Sequence, residues 1–517
     1  MTQTVSLIFP QTDDYIVAYK PAGINTHAPD LGKKGFVELL EDHFNQKLYV
    51  IHRLDKETSG LLLIAKSSEV AKSLTQQFEK HQVKKQYLFL TDRETHPADR
   101  SIQSHITKVQ NAFVNVEGEA PNSETHFSFV KKLGSFYLWR AFPKTGKPHQ
   151  IRLHAQLLNM PILGDQHHGG SSWPQLCLHS ESLEFNHLGL TQRVESPLPS
   201  WAEVPLSPED AQLHFALDRR KLLYNWQSIP EQCLRLSHLE NELYRIDQYG
   251  NVWFVYWYGE ADPDEANLNR FAEWADRYDK KIVVRKMLNR GNDPTQNTLW
   301  NLNNSPERWH AWENQMQVEL RLDTGLSPGL FLDQRENRQW LASHSAQKSV
   351  LNLFSYTSGF SVMAALSGAT EVVSVDASQN FLDWSKENFK LNGLDPEKYE
   401  FWCSDVLFFL KATYRRKRKF DVIVCDPPSF GRSKEGVFSI AKQWEQLLTS
   451  CLLILNKGGL ILFSTNYEQW DLDTLKKLVD KINREVPIKV THTPSGGLDF
   501  ETPDEAPLMK SIIIRKQ

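Results

Sequence analysis

The chain has 517 residues, too many for one ordinary domain, so two to four domains are expected. With 40% hydrophobic and 24% charged residues, it has the make-up of a folded protein, which excludes collagenous, low-complexity and disordered classes. The net charge of −4 supplies no overall attraction to phosphate, so a nucleic-acid partner would have to meet a local basic face. Residues 1 to about 215 read as strand-rich. DYIVAYK, GLLLIAK, KKQYLFL and FYLWRAF are short apolar or alternating runs bounded by Pro, Gly and polar turns. The stretch SPLPSWAEVPLSPED (196–210) is rich in Pro and Ser and reads as the end of a first domain, followed by a helical stretch. NELYRIDQYGNVWFVYWYG reads as strand, turn, strand, with Gly250-Asn251 at the turn. Residues 264–290 read as a helix followed by the strand KIVVRKML. From about 349 the pattern becomes strand and helix in alternation. VLNLF, EVVSVD, FDVIVCD and LILFST are the strands, and FSVMAALSGA, FLDWSKENFKLNG and SIAKQWEQLLTSCLLIL lie between them as helices. That alternation predicts a doubly wound sheet.

Local basic runs occur at Lys84-Lys85, Lys131-Lys132 and Arg415-Arg416-Lys417-Arg418-Lys419. The last reads equally well as a contact with RNA or as a solvated loop. The five cysteines, at 177, 233, 403, 425 and 451, form no Cys-x-x-Cys pair, so neither a zinc ribbon nor a disulfide framework is expected. Fourteen of the 18 histidines precede residue 215, but at no metal-ligand spacing, so no metal site is expected. The opening MTQTVSLIFPQTDD lacks a basic segment before an apolar run, and no apolar stretch approaches 18 residues. Neither a secretory signal nor a membrane span is expected, and the expected location is the cytoplasm.

IHRLDKETSGLLLIAKS (51–67) is the most informative stretch of the first half. Asp55 stands two residues after Arg53, and Thr58-Ser59-Gly60 turns into an apolar strand. Taken alone, this could be a turn aspartate with an arginine as its surface partner. The neighbouring pieces argue otherwise. KPAGINTHAPD (20–30) is a Lys-Pro-x-Gly turn, Tyr87 sits in a strand, KTGKPHQIRLHAQLLNMPILGD (144–165) is a polar cluster entering a helix, and LCLHSESLEF (176–185) is a further strand. In this order and spacing, residues 10 to 205 resemble the RluA branch of the RNA pseudouridine synthases. The matching motifs are His-Arg-Leu-Asp-x-x-Thr-Ser-Gly and Thr-Gly-x-x-His-Gln-Ile-Arg-x-His, with Lys147-Pro148 where Arg-Thr is commoner. The resemblance implies a reaction without cofactor or metal, in which one carboxylate, Asp55, acts as nucleophile or base toward the sugar of a flipped uridine. It further implies that Tyr87 stacks on the uracil and helps remove the C5 proton, and that Arg152 pairs with Asp55. Arg53 would fill the space left by the base or hold a phosphate, and His149 would bind substrate.

The second constellation begins with LNLFSYTSGFSVMAALSGA (351–369), a strand, a turn with Gly359 and a helix. The next strand, EVVSVDAS, ends in Asp376. On doubly wound sheets a turn at the strand's carboxyl end admits a nucleotide, and an acid at the end of the second strand takes its ribose hydroxyls. One glycine is too few for the dinucleotide fingerprint, so NAD is not expected. Asp405 follows a third strand and suits an adenine amino group. FDVIVCDPPSFGRSK (420–434) then places Asp426-Pro427-Pro428-Ser429-Phe430 after a fourth strand. The two prolines could simply end a strand. In this context they stiffen a backbone whose carbonyl, with the acid, can accept hydrogen bonds from a base on which Phe430 stacks. With LDTGLSPGLFLDQRENRQWL (322–341) and the closing DFETPDEAPLMKSIIIRK, residues 235–517 resemble the RlmI/RlmK-type rRNA methyltransferases, apart from an inserted Ser327-Pro328-Gly329. The resemblance implies an S-adenosylmethionine site of Asn352, Phe354, Tyr356, Gly359, Asp376, Ala377, Asp405, Asp333 and Arg335, with Asp426, Pro427, Pro428 and Phe430 catalytic. FSTNYEQW (463–470) lacks the cysteine that relatives making 5-methylcytidine carry in that stretch. A base nitrogen is therefore the expected methyl acceptor, and the resemblance to the RlmK-type branch implies guanine N7.

The expectation is a multidomain protein. An α+β mixed-sheet pseudouridine synthase domain spans 1–215, a connecting helix and small α+β middle domain span 216–335, and a Rossmann-like α/β class I methyltransferase domain spans 336–517. The expected substrate is structured RNA, large-subunit ribosomal RNA before tRNA. The alternatives are a ribosome assembly factor with one half silent, a 5-methylcytidine methyltransferase in the second half, and a small-molecule methyltransferase with a fused RNA-binding half.

Overall fold

The computed structural model of the chain divides into two compact units, Met1–Ser228 and Ile229–Gln517. The structure describes residues 9–28, 35–94, 96, 98–110, 112–224, 231–287, 298–322, 324, 327–433, 436–483, 487–492, 497–500 and 509–517. The closing motif expected at 499–516 therefore lies in part (501–508) outside the described residues, as do positions 29–30, 323, 325–326 and 434 of the other motifs.

In the first unit the strands are β1 (Phe9–Gln11), β2 (Tyr15–Lys20), β3 (Tyr49–Val50), β4 (Ser59–Ala65), β5 (Lys84–Thr91) and β6 (Arg100–Val109). They continue with β7 (Ala112–Val116), β8 (Ser123–Leu133), β9 (Phe136–Pro143), β10 (Leu178–His187) and β11 (Leu190–Glu195). One sheet holds them in the order β1-β2-β4-β10-β5-β9-β8-β6-β7, with β11 on β10 and β3 on β4. Among the described strands of this sheet only β4 and β10 pair in parallel, so the sheet is mixed. The helices are α1 (Phe36–Phe44), α2 (Ser68–Glu79), α3 (Gln150–Leu157), α4 (Ser200–Glu203) and α5 (Pro208–Tyr224). Helix α5 runs across position 215, where a boundary was expected, and belongs to this unit. Strands β2 and β4 are buried along their whole length, which explains their unbroken apolar runs. Gly60 opens β4 at φ +111°, and a Cβ there would lie 2.3 Å from the carbonyl oxygen of Ser180. Only glycine lets β4 lie this close to β10.

The second unit begins with a five-stranded sheet of β12 (Cys233–Ser237), β13 (Tyr244–Tyr249), β14 (Val252–Trp257), β15 (Lys281–Lys286) and β16 (Leu299–Asn301), joined in sequence order. Helix α6 (Glu265–Arg277) connects the parallel pair β14 and β15. Its start is capped by Asp264, which accepts from the Asn267 amide. A hairpin follows, β17 (Arg308–Glu313) and β18 (Met316–Arg321), and then helix α7 (Arg335–Ala342). The doubly wound part contains β19 (Ser349–Leu353), α8 (Gly359–Leu366), β20 (Glu371–Asp376), α9 (Gln379–Leu391), β21 (Glu400–Cys403), α10 (Val406–Arg415) and β22 (Phe420–Cys425). A two-stranded ribbon, β23 (Phe430–Ser433) and β24 (Gly436–Ser439), leads into α11 (Ile440–Leu453), β25 (Leu455–Thr465), α12 (Leu472–Asn483), β26 (Ile488–His492) and β27 (Lys510–Lys516). The seven-stranded order is β21-β20-β19-β22-β25-β27-β26. The order reverses beside β19, so the carboxyl ends of β19, β20 and β22 meet at one crevice, where open α/β sheets bind ligands.

Two candidate active sites

In the first unit, Asp55 lies in the turn before β4, and both of its neighbours are pinned. Thr26 Oγ1 donates to the Leu54 carbonyl at 2.8 Å and accepts from the Leu54 amide at 3.2 Å. The fully buried Lys20 donates its ammonium protons to the carbonyls of Pro21, Ile24 and Lys56 at 2.8–3.0 Å. Burial pulls the Lys20 pKa down to about 7, against the pull of Glu57 and Asp55. The Lys-Pro-x-Gly turn thus holds the backbone on which Asp55 stands.

A cavity of about 510 Å³ opens over Asp55 and brings together Arg53, Tyr87, His149 and Arg152. Arg152 Nη1 stands 3.7 Å from Asp55. Its main partner is not Asp55, however, but the buried Asp165, which takes its Nε and Nη2 at 2.7 Å each. Asp165 was missed in the sequence because its partner lies 13 residues away across a loop. His149 starts α3 in the left-handed region at φ 55°, a position that a bulky residue adopts only under constraint. Its Nδ1 meets His168 Nε2 at 3.0 Å. Burial lowers the pKa of both rings, His168 to about 4. Tyr87 is buried in β5, and burial pushes its hydroxyl up to about 12. Lys85, unremarked beyond its place in a basic run, also lines the cavity and donates to the Thr145 carbonyl at 2.8 Å.

In the second unit, a cavity of about 1180 Å³ lies at the sheet crevice. Asp333, Phe354, Tyr356, Asp376, Ala377, Asp405, Asp426, Pro427, Pro428 and Phe430 all line it. Asp376 Oδ2 accepts from the Tyr356 amide and Oδ1 from the Ser378 amide, each at 2.9 Å. Burial raises the Asp376 carboxyl, and these amides oppose the rise. Asp405 caps α10 through the Phe408 amide at 3.1 Å. Burial raises Asp426 to about 6, although Ser464 Oγ donates to it at 2.6 Å. Phe430 opens the ribbon and is 67% exposed at the mouth. Ser429 Oγ donates to Asn466 at 3.2 Å, tying the Pro-Pro loop to the end of β25.

Three expected cofactor residues do not reach this wall. Asn352 is buried and donates to Ser361 at 2.9 Å. Gly359 packs on Leu330, 3.2 Å from where its Cβ would be, at a φ outside the left-handed region. The left-handed positions of that turn belong instead to Phe354, Tyr356 and Ser358, at φ 49–62°. Arg335 is buried, with both terminal nitrogens on Asp499. Among the wall residues not anticipated, Trp384 lies 4.2 Å under the Arg321 guanidinium, and Phe331 rests against Tyr356. In the basic run, Arg418 is taken up by Glu400 and Glu371, whereas Arg415, Arg416, Lys417 and Lys419 are exposed.

A mixed-sheet unit with a guarded carboxylate, followed by a doubly wound unit with an acid-Pro-Pro-aromatic crevice, defines a two-domain enzyme. Residues 248–513, more than half of the chain, match the S-adenosylmethionine-dependent methyltransferase family, and the chain belongs to it. Residues 14–157 match the RNA pseudouridylate synthase family, so the first unit carries a pseudouridine synthase domain. Ribosomal RNA large subunit methyltransferase K of Neisseria meningitidis is 41% identical over 165 residues, 32% of this chain and 47% of that protein. Ribosomal RNA large subunit methyltransferase K/L of Colwellia psychrerythraea is 35% identical over 240 residues, 44% and 33% of the two chains. This chain thus spans less than half the length of these relatives. The crystal structure of the methyltransferase SMU.776 with S-adenosylhomocysteine aligns with 59% of this chain and 80% of its own, at 28% identity and a TM-score of 0.53. A methyltransferase from Streptococcus mutans gives the same identity and coverage with a TM-score of 0.51. Among the described residues no helix is long and apolar enough to cross a membrane, and no cluster of His, Cys, Asp or Glu could hold a metal ion.

Proposed function

We propose that the chain is a bifunctional, cytoplasmic RNA-modifying enzyme. It isomerises uridine to pseudouridine in its first unit and methylates a base of the same class of RNA in its second. The substrate is structured RNA, large-subunit ribosomal RNA before tRNA, as the names of the curated relatives suggest. The observation that carries the reading is the pair of guarded carboxylates, Asp55 between two pinned residues and Asp426 before Pro427-Pro428, each lining a cavity large enough for a nucleotide. We assign 216–335 to a connecting helix, the end of α5 in the first unit, and a small α+β domain at the start of the second, and 336–517 to the Rossmann-like domain, as in RlmI/RlmK-type enzymes. At the first site Asp55 is the nucleophile or base and needs no cofactor. Arg152, aimed by Asp165, faces the Asp55 carboxylate at 3.7 Å. Tyr87 stacks on the uracil, and Arg53 and His149 hold the displaced nucleotide.

At the second site the wall suits S-adenosylmethionine. Asp376 would take the ribose hydroxyls, Asp405 the adenine amino group, and the aromatic rings the adenine faces. The cofactor supplies an electrophilic methyl group. Asp426 and the backbone of the Pro-Pro loop would accept hydrogen bonds from the base on which Phe430 stacks. A ring nitrogen such as guanine N7 has a lone pair and needs no covalent activation. Support comes from Cys425, which is buried in β22 with its thiol pushed well above the usual range by burial. It is in no state to attack a pyrimidine. RNA containing 5-fluorocytidine should therefore give no denaturation-resistant adduct, and Cys425→Ser should retain methyl transfer. An adduct lost in Cys425→Ser would restore 5-methylcytidine as the product.

Phe430→Ala should cost ~1–3 kcal/mol of stacking, about one to two powers of ten in kcat/KM for RNA. Affinity for S-adenosylmethionine should not change. Steady-state methyl transfer with unaltered kcat/KM would remove Phe430 from the site.

A further inference from the structure

Behind Asp426 runs a line of buried polar side chains that neither the motif nor the cofactor explains. Asn337, in α7, donates from Nδ2 to Gln334 Oε1 at 2.5 Å and to Ser511 Oγ of β27 at 2.8 Å. Gln334 Nε2 donates to Ser464 Oγ at 3.3 Å, and Ser464 Oγ donates to Asp426 Oδ1 at 2.6 Å. Ser464 and Ser511 are register partners across β25 and β27. All four supporting side chains are at most 4% exposed. From Asn337 through Gln334 and Ser464 each bond donates toward Asp426, where the line ends on an acceptor, while Ser511 takes a side branch and donates on to Met509 Sδ. An ionised carboxylate completes such a line on either oxygen.

We propose that Ser464, backed by Gln334 and Asn337, is the positioning residue that fixes the rotamer of Asp426 and holds it as an acceptor for the substrate base. The proposal rests on the reading of Asp426 as a catalytic group. Position 464 lies 38 residues from Asp426 and 130 from Gln334 in the chain, so no local motif would expose the link. The hydroxyl has a defined electrostatic task. Burial drives the Asp426 carboxyl toward neutrality, and donated hydrogen bonds from Ser464 and Gln334 oppose it. The charged groups facing Asp426 are Asp333, just before α7, which raises its pKa, and Arg338 of α7, which lowers it. Arg338 is itself held by Glu313 of β17 through two short bonds. Cys425 precedes Asp426 with Cys451 of α11 beside it, and burial keeps the Cys425 thiol protonated.

The test is the pH dependence of methyl transfer to RNA by the full chain carrying Ser464→Ala, Ser464→Thr, Gln334→Leu or Asp426→Asn, with calorimetric S-adenosylmethionine affinity measured alongside. Ser464→Ala removes a donor to the charged form, so the acid limb of kcat/KM should move upward by about one pH unit. Transfer at pH 6 should then fall about fivefold and recover to within about threefold of wild type at pH 8.5. Gln334→Leu should move the limb the same way by less. Ser464→Thr keeps the hydroxyl and should restore the wild-type profile. Cofactor affinity should be unchanged throughout. A Ser464→Ala enzyme with an unshifted limb, or with a pH-independent loss that Ser464→Thr does not repair, overturns the positioning role. Unimpaired transfer by Asp426→Asn would instead overturn the reading of Asp426 on which the proposal stands.

Discussion

Asp55→Asn abolishes pseudouridine formation, with a loss on the order of 10⁴-fold or more, while methyl transfer by the same chain is untouched. The magnitude follows from the chemistry. Two carboxylates line the cavity, Asp55 and Glu79, but Asp55 is the one set in the pinned turn beside Arg152, and an amide in its place can neither attack nor deprotonate the sugar. Removing a group that acts alone at the reacting bond costs several powers of ten in kcat. The substitution is nearly isosteric, and the architecture around it survives. Leu54 and Lys56 remain held by Thr26 and Lys20, and Arg152 remains bonded to Asp165. The ion pair that is lost, 3.7 Å long and with the Asp55 side chain 26% exposed, is a weak contributor to stability. A melting temperature within about 3 °C of wild type is expected. Tritium release from RNA labelled at uridine C5 measures the activity directly. Release at near wild-type rate would remove Asp55 from the chemistry.

Asp376→Ala weakens binding of S-adenosylmethionine by about two powers of ten and leaves pseudouridine formation intact. Two effects add. The ribose hydroxyls lose a charged acceptor, a kind of bond worth ~1.5–3 kcal/mol. The amides of Tyr356 and Ser378 lose the carboxylate that orients the turn. That turn cannot easily reform, because it carries Phe354, Tyr356 and Ser358 in left-handed conformations costing ~1–3 kcal/mol each unless held. The raised pKa of Asp376 sets the sign of the pH dependence. As pH falls, the wild-type protein loses this acceptor sooner than an ordinary carboxylate would allow, so cofactor affinity should decline earlier on acidification and show no such limb in Asp376→Ala. Calorimetry measures both, and unchanged affinity in the variant would exclude the assigned role.

The parts of this structure that were legible in the sequence are those whose signal is local. The buried strands β2, β4, β19 and β22 are mostly apolar runs, and the turn at Gly250 is a strand-glycine-strand pattern. Asp55, Asp376, Asp405 and Asp426 stand at strand ends or turns, where chain direction alone delivers them to a cavity. What sequence could not supply was the second partner of each group. Arg152 points at Asp55 but is gripped by Asp165, and that preference depends on how the loop after α3 folds back. Arg335 looked like a cofactor ligand, but its charge is consumed by Asp499, 164 residues later. Gly359 looked like the residue that lets a ligand approach, but non-glycine residues in strained conformations make that turn. Strain of this kind is imposed by tertiary packing and leaves no trace in propensity.

The central claim is that one chain carries two independent chemistries. The most direct measurement incubates the purified full-length protein with large-subunit ribosomal RNA that carries tritium at uridine C5, and with S-adenosylmethionine labelled on the methyl group. Tritium release and methyl incorporation are read from the same reaction. Both signals should appear in the wild type. Asp55→Asn should lose only tritium release, and Asp376→Ala should lose only methyl incorporation at limiting cofactor. Failure of either signal in the wild type, or loss of both in either variant with the fold intact, would contradict the account.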